Sequence, residues 1–182
     1  MQFDFGGPTN GVFQSGFVVE NLDASMEQFS ERLKIRPWTT MLGVGPQGQT
    51  YRGEPATATI SVAFAFGGHM LYELIQPLDD EPSVYQEAIK SHGYGFHHFG
   101  HATTAFDEDA AALNEQGYQA IATAEGPGLR LAYFDTSDIL PGLTELIEAN
   151  ESANSAFTGI WRASIGDGGE AAPPPPGPHS VS

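Results

Sequence analysis

The 182-residue chain contains no cysteine, and that absence removes several chemistries at once. Disulfide staples, thiolate nucleophiles, iron–sulfur clusters and cysteine-ligated zinc all need a sulfur that this sequence does not supply. Basic residues are scarce: 7 lysines and arginines stand against 23 aspartates and glutamates, a formal charge of −16. Nucleic acid and anionic lipid would both be repelled, so neither is an expected partner. No apolar run approaches the roughly 20 residues of a membrane span. Residues 1–6 hold neither a basic residue nor an apolar stretch, unlike a secretory signal, so a cytoplasmic protein is the default expectation. What is present, 40% apolar and 11% aromatic residues, suffices for a packed core.

The punctuation of the chain repeats. Residues 12–19 are β-rich and close at Glu20-Asn21. From Leu22 the apolar spacing lengthens to Leu22, Met26, Phe29 and Leu33, which predicts a helix capped by Asn21 or Asp23. Residues 57–66 read as a strand, Gly67-Gly68 as a turn, and 69–75 as its hairpin partner. Ser83 to Gln86 has capping-box form and opens a short helix ending near Gly93. The series then restarts: strand 96–104, helix 107–116 with Ala110 and Leu113 inward, and strands over 118–123, 129–135 and 143–148. Phe157, Ile160 and Trp161 predict a last short helix.

Set side by side, the halves match at both ends. Gly16 and Asp23 align with Gly100 and Asp107, and Leu71-Tyr72-Glu73-Leu74-Ile75 differs from Leu143-Thr144-Glu145-Leu146-Ile147 only at its second residue. Two matches in one order within a strand–helix–strands pattern predict two copies of a βαβββ unit. The first copy runs longer between its landmarks, which fits a loop around residues 43–55. The expected layout is an N-terminal extension over 1–10 and a first module with its linking helix over 11–92. A second module with a C-terminal helix covers 93–165, and a disordered Pro/Gly-rich tail covers 166–182.

The repeat singles out Gln14 and His98 in the first strand of each half and Glu73 and Glu145 in the last. Both glutamates sit among apolar residues, where an ionised carboxylate is unfavourable unless a positive partner satisfies it. Arg130 is the only basic residue in the predicted core strands. A divalent cation resolves the conflict: two carboxylates, one imidazole and one amide oxygen suit zinc, nickel, cobalt, manganese or magnesium. Alternation along the strand places His97 and His101 on the face opposite His98, as structural or supporting groups. His69 shares phase with Glu73 but lies at a hairpin and receives no role.

On these residues the chain resembles the vicinal oxygen chelate superfamily of glyoxalases, bleomycin-resistance proteins and extradiol dioxygenases. The motifs are Gln14, Val19-Glu20-Asn21-Leu22-Asp23, Glu73-Leu74-Ile75-Gln76-Pro77, Gly95-Phe96-His97-His98 and Glu145-Leu146-Ile147-Glu148. The resemblance implies an α+β fold in which paired βαβββ modules form a cupped, partly open β-barrel. It implies a metal held by Gln14, Glu73, His98 and Glu145. It also implies a glyoxalase- or epimerase-like lyase or isomerase working through an enolate, with Glu145 as general base, Glu73 relaying the proton, and a homodimer as the assembly.

The substrate implied is a small carbonyl compound, but not a glutathione adduct. The arginine, asparagine and arginine that hold glutathione in the similar glyoxalases are replaced by Val18, Pro77 and Tyr94. Two further readings stay open on the same scaffold. One is an iron(II)-dependent ring-cleaving dioxygenase, disfavoured because Gln14 stands where that chemistry uses a histidine. The other is a non-catalytic binder whose cup is lined by aromatics such as Phe64, Phe66, Tyr94 and Tyr133.

Overall fold

A computed structural model describes residues 2–45, 48–126 and 128–165, so the Pro/Gly-rich tail lies outside the described residues. The first half gives strand β1 (Gly11–Val18) and helix α1 (Leu22–Leu33), then strands β2 (Thr39–Val44), β3 (Gln49–Tyr51), β4 (Glu54–Pro55), β5 (Ile60–Gly67) and β6 (Met70–Pro77). Helix α2 (Val84–His92) leads to β7 (Gly95–Thr103), α3 (Phe106–Glu115), β8 (Ala120–Gly126), β9 (Leu129–Phe134), β10 (Leu143–Glu148) and α4 (Glu151–Ser164).

Local chemistry explains the boundaries. The side chains of Asn21, Ser83 and Asn150 accept hydrogen bonds from the backbone N–H of Ala24, Gln86 and Ala153, which caps α1, α2 and α4. Helix α1 turns Met26 and Phe29 against Ala63 and Leu74, while α3 turns Ala110 and Leu113 against Ala132, Phe134 and Leu146. Each module thus covers the outer face of its own strands with its own helix.

All ten described strands form one curled sheet in the order β2-β5-β6-β1-β7-β10-β9-β8-β3-β4. The α+β cup is therefore present. Its two four-stranded halves meet where β1 and β7 pair antiparallel. In the first half β6 runs parallel to β1 with Glu73 opposite Gly16; in the second, β10 runs parallel to β7 with Glu145 opposite Gly100. These registers are related by the twofold that the sequence repeat implied.

Residues 43–55 are not a plain loop. They carry the end of β2 and the β3–β4 hairpin, which crosses to the far side and pairs with β8 of the second half. Arg52 and Gly53 turn it with φ of 50° and 85°. Consecutive stretches of chain therefore supply both ends of the sheet and draw the cup inward. The sequence signal was weak because β3 and β4 hold only three and two residues and the turn opens with an arginine.

The main core lies where the N-terminal segment and α4 cover the sheet. Phe3, Phe5, Phe13, Phe66 and Phe157 are buried together, with ring centroids of Phe5–Phe66 at 4.9 Å and Phe13–Phe157 at 5.0 Å. His69 closes the segment through Nδ1, 3.1 Å from the Phe5 carbonyl oxygen.

Candidate metal centre

Each half provides one first-strand and one last-strand side chain, and the four meet at the floor of the cup. Gln14, Glu73, His98 and Glu145 are all buried. The His98 Nε2 lies 3.3 Å from Glu73 Oε2 and 3.1 Å from Glu145 Oε2. The Gln14 amide nitrogen donates to Glu73 Oε2 at 2.8 Å and Glu145 Oε2 at 3.0 Å, and stands 3.1 Å from His98 Nε2.

Two glycines make this convergence possible. A Cβ on Gly16 would lie 1.9 Å from Cε1 of His98, and one on Gly100 would lie 2.6 Å from Cβ of Gln14. In the β1–β7 ladder Gly16 faces His98 and Gln14 faces Gly100. Each glycine leaves room for the other strand's functional side chain, which accounts for the Gly16/Gly100 match between the halves.

The donor set fits a divalent ion. Separations of 3.1 and 3.3 Å fall on the ligand–ligand edges of about 3.0–3.4 Å expected when bonds to a shared ion are about 2.1 Å. Glu73, His98 and Glu145 form the group that could hold the ion. Arg130, the strand's basic residue, is engaged elsewhere: its guanidinium lies 2.6 Å from Asp107 and over the Phe106 ring. Of the donors present, the Gln14 NH2 serves both carboxylates at once, and a half-turn of that amide would present its oxygen instead.

Electrostatics follow the burial. Desolvation holds the Glu73 carboxyl above the usual carboxylate range, against the hydrogen bond from His98. Burial alone would lower the His98 imidazole, but the charges and hydrogen bonds of Glu145 and Glu73 leave it raised to about 9.

His97 departs from the expected opposite face. Between Gly16 and Phe17 the β1–β7 register slips, so that β7 carries an extra residue there. The bulge breaks the alternation and brings both imidazoles into one network. His97 Nδ1 is 2.9 Å from His98 Nδ1, and His97 Nε2 is 3.4 Å from the Val84 carbonyl oxygen. Because a carbonyl only accepts, His97 carries its proton on Nε2 and accepts from His98 at Nδ1. That arrangement turns His98 Nε2 to the site. Burial first, then the neighbouring His98, lowers His97 to about 3, in keeping with a neutral ring. His101 lies further along β7, opposite Val12.

A cavity of about 140 Å³ opens above the four residues, with Gln14, Glu73 and Glu145 in its wall. Phe64 and Tyr133 line it as expected, whereas Phe66 is taken up by the core beside Phe5 and Tyr94 is 50% exposed at the foot of β7. Tyr133 stands opposite Glu145 in the β9–β10 ladder, and Tyr85 of α2 reaches it from the side. Burial, then the Glu145 charge, pushes the Tyr133 phenol well above its ordinary value; burial does the same to Tyr85. Both stay neutral donors. Tyr85 was not legible from sequence because it belongs to the linking helix outside the repeat.

The profile of the Glyoxalase/Bleomycin resistance protein/Dioxygenase superfamily matches residues 13–134. The chain belongs to that superfamily. Among solved structures, a hypothetical protein from Bacillus halodurans is 23% identical, with 80% of this chain and 99% of that one covered at a TM-score of 0.62. Methylmalonyl-CoA epimerase from Mycobacterium tuberculosis is 20% identical, covering 77% and 88% at 0.57. A Streptomyces coelicolor epimerase variant in complex with 2-nitronate-propionyl-CoA is 22% identical, covering 77% and 97% at 0.57. No curated protein sequence gives a significant match. These similarities establish a glyoxalase-superfamily fold, the same family to which the motifs pointed. Among the described residues no helix is long and apolar enough to cross a membrane.

Proposed function

We propose that the protein is a divalent-metal-dependent lyase or isomerase that removes a proton beside a substrate carbonyl and proceeds through an enolate. One observation carries this reading: two buried carboxylates, an imidazole and an amide converge on one point in a cavity wall with no lysine or arginine to neutralise them. The metal, whether zinc, nickel, cobalt, manganese or magnesium, would be held by Gln14, Glu73, His98 and Glu145 and would supply Lewis-acid polarisation of the carbonyl.

The chain's own groups do the rest. Glu145 faces the cavity and takes the proton as general base; Glu73, from the other half, returns or relays it. The Tyr133 hydroxyl, kept neutral by burial beside Glu145, would donate to that carboxylate and hold it in position. Methylmalonyl-CoA epimerases among the structural neighbours support proton abstraction on this scaffold. Pro77 and Tyr94 at the positions that hold glutathione in similar glyoxalases support a substrate other than a glutathione adduct. A cytoplasmic homodimer belongs to the same proposal: β2 is an open sheet edge, and Leu42 on it is 71% exposed.

The test is solvent exchange. Protein purified without added metal is assayed for bound divalent ion, then incubated in deuterium oxide with a panel of carbonyl compounds. Wild-type protein is expected to wash deuterium into the carbon next to the carbonyl, and Glu145→Gln to slow that exchange about 100- to 10,000-fold while keeping the fold. Undiminished exchange in Glu145→Gln removes the assigned base, and exchange that persists in metal-stripped protein removes the metal.

A further inference from the structure

Resting on that reading, we infer that the site takes an uncharged, largely apolar carbonyl ligand rather than a CoA ester or a dicarboxylate. Away from its floor the cavity wall is aliphatic: Met41, Val44, Ile60 and Val62 come from the first half, and Leu129 and Leu131 from the second. Among the described residues its only carboxylic acids are Glu73 and Glu145, and none of the residues lining it is a lysine or arginine. A substrate carboxylate or phosphate entering here would be buried beside two acids that already engage His98, and would leave the ion they hold with no charge to spare, while no lysine or arginine lines the wall to take the extra negative charge.

The rim gives the same answer. Arg52 stands over the ring of the cavity-lining Tyr51, and its guanidinium is bound to Glu87 at 2.7 Å. It is thereby neutralised. Over the whole chain 23 acidic residues oppose 7 basic ones, so the approach to the cup also repels anions. The polar groups left on the wall, such as Thr50, Ser83, Thr123 and the tyrosines, are neutral hydrogen-bonding groups that orient a ligand without selecting charge. Charge accounting within the reaction agrees. Proton transfer to Glu145 leaves the total charge of the cavity unchanged for any substrate, so an anionic one would keep its excess negative charge buried throughout the reaction.

The probes are hydroxamic acids, which offer two adjacent oxygens and an adjustable tail. Binding of aceto-, butano- and hexanohydroxamic acid is measured by calorimetry on cobalt-loaded and metal-stripped protein. The hexano chain ending in a carboxylate, and propionyl-CoA, are measured alongside. Affinity for the loaded protein is expected to rise about three- to fourfold per methylene, the ordinary yield of burying one CH2. The carboxylate-ended chain is expected to lose most of that gain, and propionyl-CoA to bind no better than acetohydroxamic acid. A flat series, tighter binding of the carboxylate-ended chain or of propionyl-CoA, or no binding at all overturns the inference. Equal affinities with and without cobalt, alongside a steep chain-length dependence, would uphold the apolar wall and overturn the metal reading instead.

Discussion

Four side chains set the energetics of the site, and two of them hold more protons folded than unfolded. Glu73 is raised by burial, and His98 is raised from 6.5 to about 9 by the two carboxylates. Groups raised in this way stabilise the folded form below their unfolded values and lose that contribution as pH climbs through the folded ones. His97 acts in the opposite sense. Lowered to about 3, it withdraws stability as pH falls below 6.5. Between pH 4.5 and 6.5 the contributions of Glu73 and His97 oppose each other, so the metal-stripped protein is expected to lose stability above pH 6.5, its melting temperature falling toward pH 9 as His98 gives up its proton. Saturating metal is expected to reverse that fall, because on the proposed reading the ion would bind only once His98 Nε2 had lost its proton. Melting curves of stripped and loaded protein from pH 5 to 9 check this. Parallel curves would mean that His98 does not exchange a proton for the ion.

At the level of elements, strand β7 does more than a regular strand could. Its bulge delivers His97 and His98 to one network, so that the backbone irregularity selects the ring nitrogen offered at the site. Replacing His97 by leucine removes the acceptor for His98 Nδ1 and is expected to weaken metal binding about 10- to 100-fold. Asparagine, whose Oδ1 can stand in for the lost nitrogen, should recover most of it. Equal losses in both variants by metal titration would assign His97 a packing role only.

The same strand shows what could be read in advance. Gln14, Glu73, His98 and Glu145 were legible because duplication put each pair at equivalent places and burial made the acids conspicuous. The common position of Gly16 and Gly100 was visible too, though its reason appears only when a missing Cβ is seen to make room across the ladder. The facing of His97 was not legible, since alternation assumes an unbroken pleat. Strand β2 was missed for a different reason: its polar and apolar residues do not alternate, since Leu42 is exposed beside the half-buried Met41, and Gly43, at φ 63°, interrupts it.

The whole molecule depends on how two similar halves are held around one cavity. Pairing of β1 with β7 joins their floors, α4 carries Phe157 of the second half onto Phe13 of the first, and the β3–β4 hairpin straps the first half to the open edge of the second. None of the β3 and β4 residues of the strap is buried. Beyond three ladder pairs it is tied by the Thr50–Thr123 hydroxyl contact at 2.7 Å and by Glu87, which accepts from Tyr51 at 2.5 Å and Arg52 at 2.8 Å. Its stability is therefore expected to be separable from that of the floor. The Arg52–Glu87 pair is substantially exposed, so Glu87→Gln should loosen the strap by only about 0.5–1 kcal/mol. In hydrogen exchange this would speed the Arg52 amide, bonded to the Ile121 carbonyl oxygen, about two- to fivefold and leave the β1 amides unchanged. Because Tyr51 also lines the cavity, a looser strap should raise the dissociation rate of a long-chain hydroxamic acid more than its association rate. Uniform acceleration across β1 and β3 would instead show that strap and floor open as one unit.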